Sequence, residues 1–343
     1  MFDLHKQSAT AFAPASVGNV AVGFDLLGHA LPEAGDTVTV RRCERPGVHV
    51  VEVSGTVTDL PADSHKNTAG AAVLAMANRL GLLAEAQAVD GLHGLELSIH
   101  KGIPLASGMG GSAASAVAAV VALNGLLADP LPTLELYPFA LAGEVVASGG
   151  ELDEEGRIKK GAAHGDNVAA SLLGGLTLCH PDPQRLPLRL AVPGALQCVL
   201  VHPDLEIKTA DARAILPAEV PLKTAVGQSG NLAWLLAGCQ AGQLDWIRGA
   251  LQDILVEPHR KALIPGFEQV QKLAMDHGAL GCSISGAGPS VFAWFEQKAG
   301  ANSKQANLAS VAAAMVDLFA AHGLSSTSMI GPVDCPGARL IES

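Results

Sequence analysis

Aromatic and charged residues are scarce in this sequence. Its 343 residues include 8 Phe, 3 Trp and a single Tyr, and only 16% are charged. Hydrophobic residues make up 49%, which is enough for a sizeable core and excludes a disordered chain. The 38 Gly favour close packing and binding sites lined by main-chain atoms. The length corresponds to about two domains.

Positive charge is also limited, because 22 Lys and Arg face 33 Asp and Glu and leave a net charge of −11. No basic stripe is available to neutralise a phosphodiester backbone, so we expect no nucleic-acid partner. An anionic ligand would have to be attracted by a local cluster of positive charges or dipoles, against the field of the whole chain.

Long apolar runs and paired cysteines are missing. No run reaches the roughly 18 residues of a transmembrane helix, and residues 1–6 lack the charged and apolar regions of a signal peptide. The six Cys are scattered without a C-x-x-C pair, which argues against a zinc site or a disulfide framework. These absences predict a cytoplasmic protein with buried, reduced thiols and no membrane partner.

The spacing of apolar residues predicts alternating strands and helices in both halves of the chain. The predicted strands are residues 36–40, 48–53, 95–100, 176–179, 197–202, 281–285, 290–295 and 326–330, the last being the final strand. The predicted helices are approximately residues 68–80, 112–127, 134–148, 208–216, 222–241, 267–277 and 305–322. The charged segment 151–160 is predicted to be an exposed loop. A proline-rich turn at 180–187 divides the chain into domains 1–180 and 181–343.

The strongest local pattern is PLASGMGGSAAS at residues 104–115, which follows a predicted strand and opens a predicted helix. Glycines let the backbone approach a ligand, and a helix N-terminus supplies free N–H groups and a positive dipole end. The pattern therefore predicts a cradle for nucleotide phosphates. It matches neither a Walker A loop nor a Rossmann fingerprint. The alternative is a plain glycine-rich connection in which Ser112 caps the helix.

Two further segments combine glycines with polar residues. Residues 12–28 (FAPASVGNVAVGFDLLG) carry Asn19 and Asp25, which either face one pocket or only make local turn hydrogen bonds. Residues 281–290 (GCSISGAGPS) are either a tight connection between two strands or a second backbone-lined phosphate wall.

Taken together and in this order, the three segments resemble the three motifs of the GHMP kinases, and the middle one is similar to P-x-x-x-G-L-G-S-S-A-A. Within that superfamily the chain most resembles the branch that phosphorylates homoserine. That finer resemblance rests on the first segment and on residues 161–168 (GAAHGDNV), 208–217 (KTADARAILP) and 257–267 (EPHRKALIPGF).

The resemblance implies an α+β fold of two domains with the nucleotide between them. The N-terminal domain would be similar to ribosomal protein S5 domain 2, with a left-handed β-α-β crossover, and the C-terminal domain ferredoxin-like. It implies transfer of the ATP γ-phosphoryl group to the side-chain hydroxyl of L-homoserine, in threonine biosynthesis, by a homodimer. The alternatives are another GHMP small-molecule kinase, or a non-catalytic sensor of nucleotide or amino acid on the same fold.

The resemblance also implies roles for particular residues. Asp25, Ser112 and Glu144 would be catalytic, and Ser112 and Glu144 would hold Mg²⁺, a hard cation that prefers oxygen ligands. Arg213 and Arg260 would bind the substrate carboxylate, which suits the planar guanidinium. The remaining substrate-binding residues would be Asn19, Asp25, His164, Asn167 and Thr209. The ATP-binding residues would be Asn67, Pro104, Leu105, Ala106, Ser107, Gly108, Met109, Gly110, Gly111, Ser112, Ala113 and Ala114.

Several points stay open at the level of sequence. Asn67 is either an adenine ligand or a helix cap. Gly111 stands where the GHMP motif has a serine, so one hydroxyl is missing from the cradle. Glu151, Glu154 and Glu155 compete with Glu144 as the metal carboxylate. Asp25 either orients the substrate, which we favour, or accepts its proton.

Overall fold

The computed structural model describes residues 1–83, 91–153, 158–160, 164–297 and 307–342. The strands are β1 (Ser8–Gly18), β2 (Leu27–Cys43), β3 (Gly47–Gly55), β4 (Gly94–Lys101), β5 (Glu151–Leu152), β6 (Ile158–Lys160), β7 (Leu176–Leu178), β8 (Leu188–Leu190), β9 (Leu196–Pro203), β10 (Gly281–Ile284), β11 (Val291–Glu296), β12 (Ser326–Pro332) and β13 (Arg339–Glu342).

The α-helices are α1 (Thr68–Arg79), α2 (Gly111–Gly125), α3 (Tyr137–Ala147), α4 (Asp166–Leu173), α5 (Thr209–Ala214), α6 (Leu222–Ala241), α7 (Leu244–Ala250), α8 (Glu257–Arg260), α9 (Phe267–Asp276) and α10 (Leu308–Ala321). Short 3-10 helices cover Thr133–Leu136 and Lys261–Leu263. None of the described helices is long and apolar enough to cross a membrane.

The larger sheet has seven strands in the order β13-β1-β2-β4-β3, with β7 paired to β2 and β8 to β7. Strands β3 and β4 are parallel, and α1 lies between them in the chain, which makes a β-α-β unit. Helix α2 is rich in Ala and almost entirely buried against β1, β2 and the neighbouring helices. Its small side chains allow these neighbours to approach closely, so the start of α2 is held firmly.

The second sheet has four antiparallel strands in the order β10-β11-β9-β12. Helix α9 precedes β10 and α10 joins β11 to β12. This strand order and helix placement are those of a ferredoxin-like domain. A separate apolar core lies between this sheet and its helices, with Phe267 and Phe319 fully buried. The expected α+β fold is confirmed.

Most of the predicted elements are confirmed to within a few residues. Two predictions are wrong: the described part of residues 151–160 contains the paired strands β5 and β6, and β13 follows the strand expected to be last. The pattern of apolar residues did not predict β1, β8, α4, α7 or α8. Residues 305–306, the start of the last predicted helix, lie outside the described residues. The domain boundary at residue 180 stays a prediction. Strands β8 and β13 follow residue 180 in the chain but pair within the larger sheet.

A buried histidine links the two sheets. The Trp294 indole Nε1–H on β11 donates to His29 Nε2 on β2 at 3.1 Å, and His29 Nδ1 lies 2.9 Å from the Ala30 carbonyl oxygen. One ring nitrogen accepts while the other donates, so the geometry fits a neutral imidazole. Burial lowers the pKa of His29 to about 4, and its hydrogen bond to Ala30 only partly opposes this.

We expect this histidine to make folding stability depend on pH. Its pKa is lower in the folded chain than in the unfolded chain, so its contribution is complete above about pH 6.5 and is lost as the pH falls toward 4. The loss amounts to about 3 kcal/mol. Urea unfolding from pH 7 to pH 4 would measure it. The His29→Gln variant should show a shallower slope, and an equal slope in both proteins would contradict this.

Candidate active site

A cavity of about 1060 Å³ lies where the three glycine-rich segments meet. One wall is the segment before α2, and a second is formed by residues from Asn19 to Asp25. The turn at Gly286–Gly288 and the start of α5 complete the enclosure. Segments that are more than 250 residues apart in the sequence therefore share one cavity, as the resemblance to the GHMP kinases implies.

The wall before α2 has the backbone of an anion cradle. Gly108 and Gly110 have positive φ values of 75° and 67°, and Gly110 is the N-cap of α2. A Cβ on Gly108 would lie 2.5 Å from the Ser285 carbonyl oxygen, so only glycine fits there. The Ser285 and Ser290 hydroxyls donate to the carbonyls of Gly108 and Ser107, both at 2.6 Å. The turn between β10 and β11 thus supports the cradle from behind.

A buried ion pair lies beneath the cradle. The Lys101 Nζ donates to the Asp36 carboxylate, and also to the Gly111 carbonyl and the Ser115 hydroxyl, both at 2.8 Å. Asp36 also accepts from the Gly102 N–H at 3.0 Å. These contacts tie the first turn of α2 to β2 and β4 of the larger sheet. Sequence reasoning missed them, although Lys101 continues the inward alternation of β4 and so is placed facing the core.

Ser112 and Glu144 present oxygen atoms side by side in the cavity. The Ser112 hydroxyl donates to Glu144 Oε2 at 2.7 Å. Burial raises the pKa of Glu144 to about 7, with a further increase from the nearby Asp166 carboxylate, although the Ser112 hydrogen bond opposes both. A carboxylate held in this way, without a basic partner in direct contact among the described residues, suits an added cation.

The described residues contain no group of three or more His, Cys, Asp or Glu that would hold a metal alone. A cation at Ser112 and Glu144 would therefore need oxygens from a nucleotide as well, which is typical of Mg²⁺. Of the competing carboxylates, Glu151 is exposed and does not line the cavity. Glu154 and Glu155 lie outside the described residues.

Gly111 has room for the hydroxyl that the GHMP motif places there. A Cβ at this position would meet Ile103 Cγ2 at 3.2 Å and Lys101 Nζ at 3.5 Å, which requires only a small shift. The residue that contacts Glu144 is Ser112. The glycine therefore leaves the candidate metal ligands intact.

The cavity is also lined by a pair of opposite charges, Asp25 and Arg213. The Arg213 guanidinium binds Asp25 through both carboxylate oxygens, at 3.0 and 3.1 Å, and His164 Nδ1 lies 3.3 Å from Asp25 Oδ2. Burial favours the neutral acid, but the hydrogen bonds from His164 and Arg213 outweigh it and lower the pKa of Asp25 to about 2. Asp25 is thus a carboxylate with very little tendency to accept a proton.

Asn19 and Asp25 share a strained loop. Both have left-handed backbones, with φ values of 66° and 58°, which Asn and Asp tolerate better than most residues. The Asn19 Oδ1 accepts from the Asp25 backbone N–H at 3.1 Å, and its Nδ2 donates to the Gly286 carbonyl at 2.9 Å. The loop is therefore fixed to the turn between β10 and β11.

Arg260 is buried and completes this end of the site. Its Nε and Nη1 donate to the Ala212 and Gly286 carbonyls, both at 3.0 Å. The guanidinium carbons of Arg213 and Arg260 lie 5.2 and 5.3 Å from the centroid of the Phe24 ring. Phe24 therefore holds both cations by cation–π contact. Sequence reasoning missed this role, although Phe24 directly precedes Asp25.

Asp166 and Asn167 open α4 at the base of the cavity. The Asn167 Oδ1 accepts from the Ser16 hydroxyl at 2.9 Å, and Asp166 Oδ2 accepts from the Asn19 backbone N–H at 3.1 Å. Burial raises the pKa of Asp166, and the nearby Asp25 carboxylate adds to the increase. Asp166 was not among the expected site residues, although it directly precedes Asn167.

The structure gathers most of the expected residues around the cavity. These are Asn19, Asp25, Pro104 to Gly108, Gly110 to Ser112, Glu144, His164, Asn167, Thr209, Arg213 and Arg260. Four of the expected ATP-binding residues do not line it. The side chains of Met109, Ala113 and Ala114 are fully buried in the core beneath the cradle. Asn67 caps α1, because its Oδ1 accepts from the Ala69 and Gly70 N–H groups.

Comparison with known protein families agrees with this geometry. The family model for the GHMP kinases N terminal domain matches residues 67–175, and the model for the GHMP kinases C terminal matches residues 235–314. With the similarity to relatives given below, these matches show that the chain belongs to the GHMP kinase family.

The full-length relatives place it in the homoserine kinase branch. It is 48% identical over 335 residues to the homoserine kinase of Xanthomonas campestris pv. campestris, covering 98% of this chain and 94% of that protein. The crystal structure of homoserine kinase from Cytophaga hutchinsonii superposes with a TM-score of 0.86 at 39% identity, covering 99% of both chains. The fold is shared with L. major mevalonate kinase, whose structure is in complex with R-mevalonate. The two chains are 16% identical, with a TM-score of 0.65 over 98% of this chain and 99% of that one.

Proposed function

We propose that this protein transfers the γ-phosphoryl group of ATP to the side-chain hydroxyl of L-homoserine, giving O-phospho-L-homoserine for threonine biosynthesis. The observation that carries the proposal is that one cavity is lined both by the glycine-rich segment before α2 and by the Asp25–Arg213 charge pair. The first suits a triphosphate and the second suits a zwitterionic amino acid.

The nucleotide phosphates would bind to the backbone N–H groups of residues 105–112 and to the N-terminus of α2. This region offers positive dipole ends in an otherwise acidic chain. Ser112 and Glu144 would hold Mg²⁺, which when bound neutralises charge on the phosphate oxygens. The Lys101–Asp36 ion pair would keep the first turn of α2 in place as the bound nucleotide changes from ATP to ADP.

The bound amino acid would separate Asp25 from Arg213 and pair with each of them instead. Its carboxylate would bind Arg213 and Arg260, and its ammonium group would bind Asp25. Asn19, His164, Asn167 and Thr209 surround these groups and would orient the backbone and side chain of the substrate. Each half of the zwitterion would then take the place of one partner in the Asp25–Arg213 ion pair.

Phosphoryl transfer here would proceed without a dedicated base. The low pKa of Asp25, about 2, makes this carboxylate a poor proton acceptor at neutral pH. A loose transition state demands little deprotonation of the attacking hydroxyl, so positioning and charge stabilisation carry the catalysis. Asp25 would therefore orient the substrate.

A survey of phosphoryl acceptors tests the function. In a coupled assay of ADP release, L-homoserine should give the highest kcat/KM. L-Serine, which lacks one methylene, should be lower by roughly 10- to 200-fold. Mevalonate and galactose should be inactive, because neither presents a zwitterion to Asp25 and Arg213.

The other outcomes separate the alternatives. Turnover of mevalonate or galactose without turnover of homoserine would indicate a different GHMP kinase. Binding of nucleotide without turnover of any acceptor would indicate a sensor. We further propose that the protein acts in the cytoplasm as a homodimer; the six free cysteines support a reducing compartment.

A further inference from the structure

Asp166, the first residue of α4, is a buried carboxylate that lines the cavity. Its two oxygens accept hydrogen bonds from neutral groups: Oδ2 from the Asn19 backbone N–H at 3.1 Å, and Oδ1 from Asn167 Nδ2 at 3.2 Å. Within the described ranges, no Lys, Arg or His forms an ion pair with it. A buried charge held only by neutral donors costs stability, and such groups are concentrated at functional sites. Asp166 is therefore a candidate functional residue.

Asp166 decides which way the side-chain amide of Asn167 faces. The Asn167 Oδ1 accepts from the Ser16 hydroxyl at 2.9 Å, and its Nδ2 donates to Asp166. A hydroxyl can donate or accept, so Ser16 alone would allow either orientation of the amide. A carboxylate only accepts, so a reversed amide would place its carbonyl oxygen against Asp166. Among the described residues no second acceptor contacts Asn167 Nδ2, so its other hydrogen is available to a ligand.

The Asp166–Asn167 pair touches both the phosphate cradle and the amino-acid loop. A Cβ on Gly110, the N-cap of α2, would lie 2.9 Å from Asn167 Oδ1. A Cβ on Gly18 would lie 2.8 Å from both Asn167 Nδ2 and Asp166 Oδ2. The backbone N–H that Asp166 accepts belongs to Asn19, where the amino-acid loop begins. The pair therefore lies where the cradle and the loop come together, and an acceptor hydroxyl has to meet the phosphoryl group at such a place.

Two other roles fit these contacts less well. A proton acceptor needs a free lone pair aimed at the hydroxyl, whereas both Asp166 oxygens are already engaged by N–H groups that the fold holds in place. A metal ligand would belong with Ser112 and Glu144, but the described residues contain no group of three acidic, histidine or cysteine side chains that could hold a cation. The direct effect of Asp166 is therefore on Asn19 and Asn167.

We propose that Asp166 is a positioning residue for phosphoryl transfer. It fixes the amide of Asn167 so that an N–H group, and not the carbonyl oxygen, faces the acceptor hydroxyl, and it anchors the amino-acid loop at Asn19. An N–H that donates to the hydroxyl oxygen directs a remaining lone pair of that oxygen toward the phosphorus atom. This inference rests on the proposed function, because the acceptor is the side-chain hydroxyl of homoserine.

The Asp166→Asn variant tests the orientation of the amide. Its new side chain can keep a carbonyl oxygen on the Asn19 N–H but then turns an NH2 group toward Asn167. The Asn167 amide should reverse in response, so that a carbonyl lone pair replaces the N–H that faces the acceptor. We expect kcat to fall roughly 100-fold, the scale for a misplaced reacting group. The KM for ATP should hardly change, and the KM for homoserine should rise only a few fold, since the arginines and Asp25 still bind its charged groups.

The double variant Asp166→Asn/Asn167→Asp separates positioning from stability. It exchanges the amide and the carboxylate, so the contacts with Ser16, with the Asn19 N–H and between the two side chains can all form again. Its stability in urea should therefore match that of the unmodified protein, even if Asp166→Asn alone does not fold. Its kcat should stay low, because position 167 has no N–H to donate. Asp317→Asn makes the same chemical change at an exposed position of α10 and is the control.

Steady-state kinetics of these proteins from pH 6 to pH 9 decides between the roles. A normal kcat in folded Asp166→Asn, or a kcat that returns together with stability in the double variant, would overturn the positioning role. A pH profile of kcat that loses its acidic limb in Asp166→Asn would overturn it too, and would make Asp166 the proton acceptor.

Failure of the unmodified protein to phosphorylate homoserine would remove the proposed function. The orientation of the amide then has its own measurement, a spectrum of the protein labelled with 15N in asparagine. The side-chain NH2 signal of Asn167, identified by its loss in Asn167→Asp, should shift in Asp166→Asn and stay in place in Asp317→Asn. An unshifted signal in Asp166→Asn would overturn the inference whatever the substrate is.

Discussion

Replacing Glu144 with Gln is expected to lower kcat by roughly a hundred- to a thousandfold, the scale for removal of one electrostatic group from an active site. Gln keeps the shape and the contact with Ser112 but has no negative charge for a cation. The dependence of the rate on Mg²⁺ concentration should therefore shift strongly toward higher concentrations. The measurement is a Mg²⁺ titration of the initial rate at saturating ATP and homoserine.

The fold of this variant should be intact. The pKa of Glu144 is raised to about 7 in the folded chain, so its favourable contribution is complete below about pH 4.5 and is lost as the pH rises through 7. A neutral Gln should thus leave the free protein at least as stable at pH 8. Glu151→Gln is the matched control, because Glu151 is an exposed carboxylate on β5. Normal Mg²⁺ dependence in Glu144→Gln would assign the metal to another carboxylate.

Asp25→Asn is expected to raise the KM for homoserine by roughly 100-fold, which corresponds to about 2.7 kcal/mol. The substitution removes the proposed partner of the substrate ammonium group and leaves Arg213 without its ion pair to Asp25. The cradle is built from other residues, so the KM for ATP should hardly change. Steady-state kinetics with each substrate varied in turn separates the two effects.

The same variant distinguishes orientation from base catalysis. If Asp25 accepted the proton of the hydroxyl, kcat would be lost while the affinity for homoserine stayed normal. That result would contradict the orienting role. Asp211→Asn serves as the control, since Asp211 is exposed on the same helix as Arg213 and does not line the cavity.

The sharp turns of the three glycine-rich segments could be predicted because they depend on local chemistry. Glycines with positive φ, such as Gly108 and Gly110, mark sharp turns whatever surrounds them. Asn19 and Asp25 are residue types that tolerate the left-handed region. The turn at residues 286–289 joins two apolar strands. Each segment carries its own signal, and their order along the chain then identified the family.

Other features could not be predicted, because they depend on residues that are distant in sequence. Asp36 meets Lys101 across 65 residues, only because β2 and β4 pair in one particular register. Phe24 meets Arg213 and Arg260 only when the two sheets assemble around the cavity. The choice between helix cap and adenine ligand for Asn67 also needed the path of the chain from Pro61 to Gly70.

By itself, the sequence determined most helices and strands and the glycine-rich segments, since backbone freedom is a local property. The residues proposed to bind the amino acid came from the resemblance to the GHMP kinases. The scarcity of aromatic residues fits a site built mainly from main chain, arginines and carboxylates. Only the tertiary structure decided how the charges are paired. It paired Arg213 with Asp25, buried Lys101 with Asp36 and raised the pKa of Glu144. It also left Trp234 and Trp246 exposed. Pairing and burial depend on which distant segments pack together, so the sequence alone does not give them.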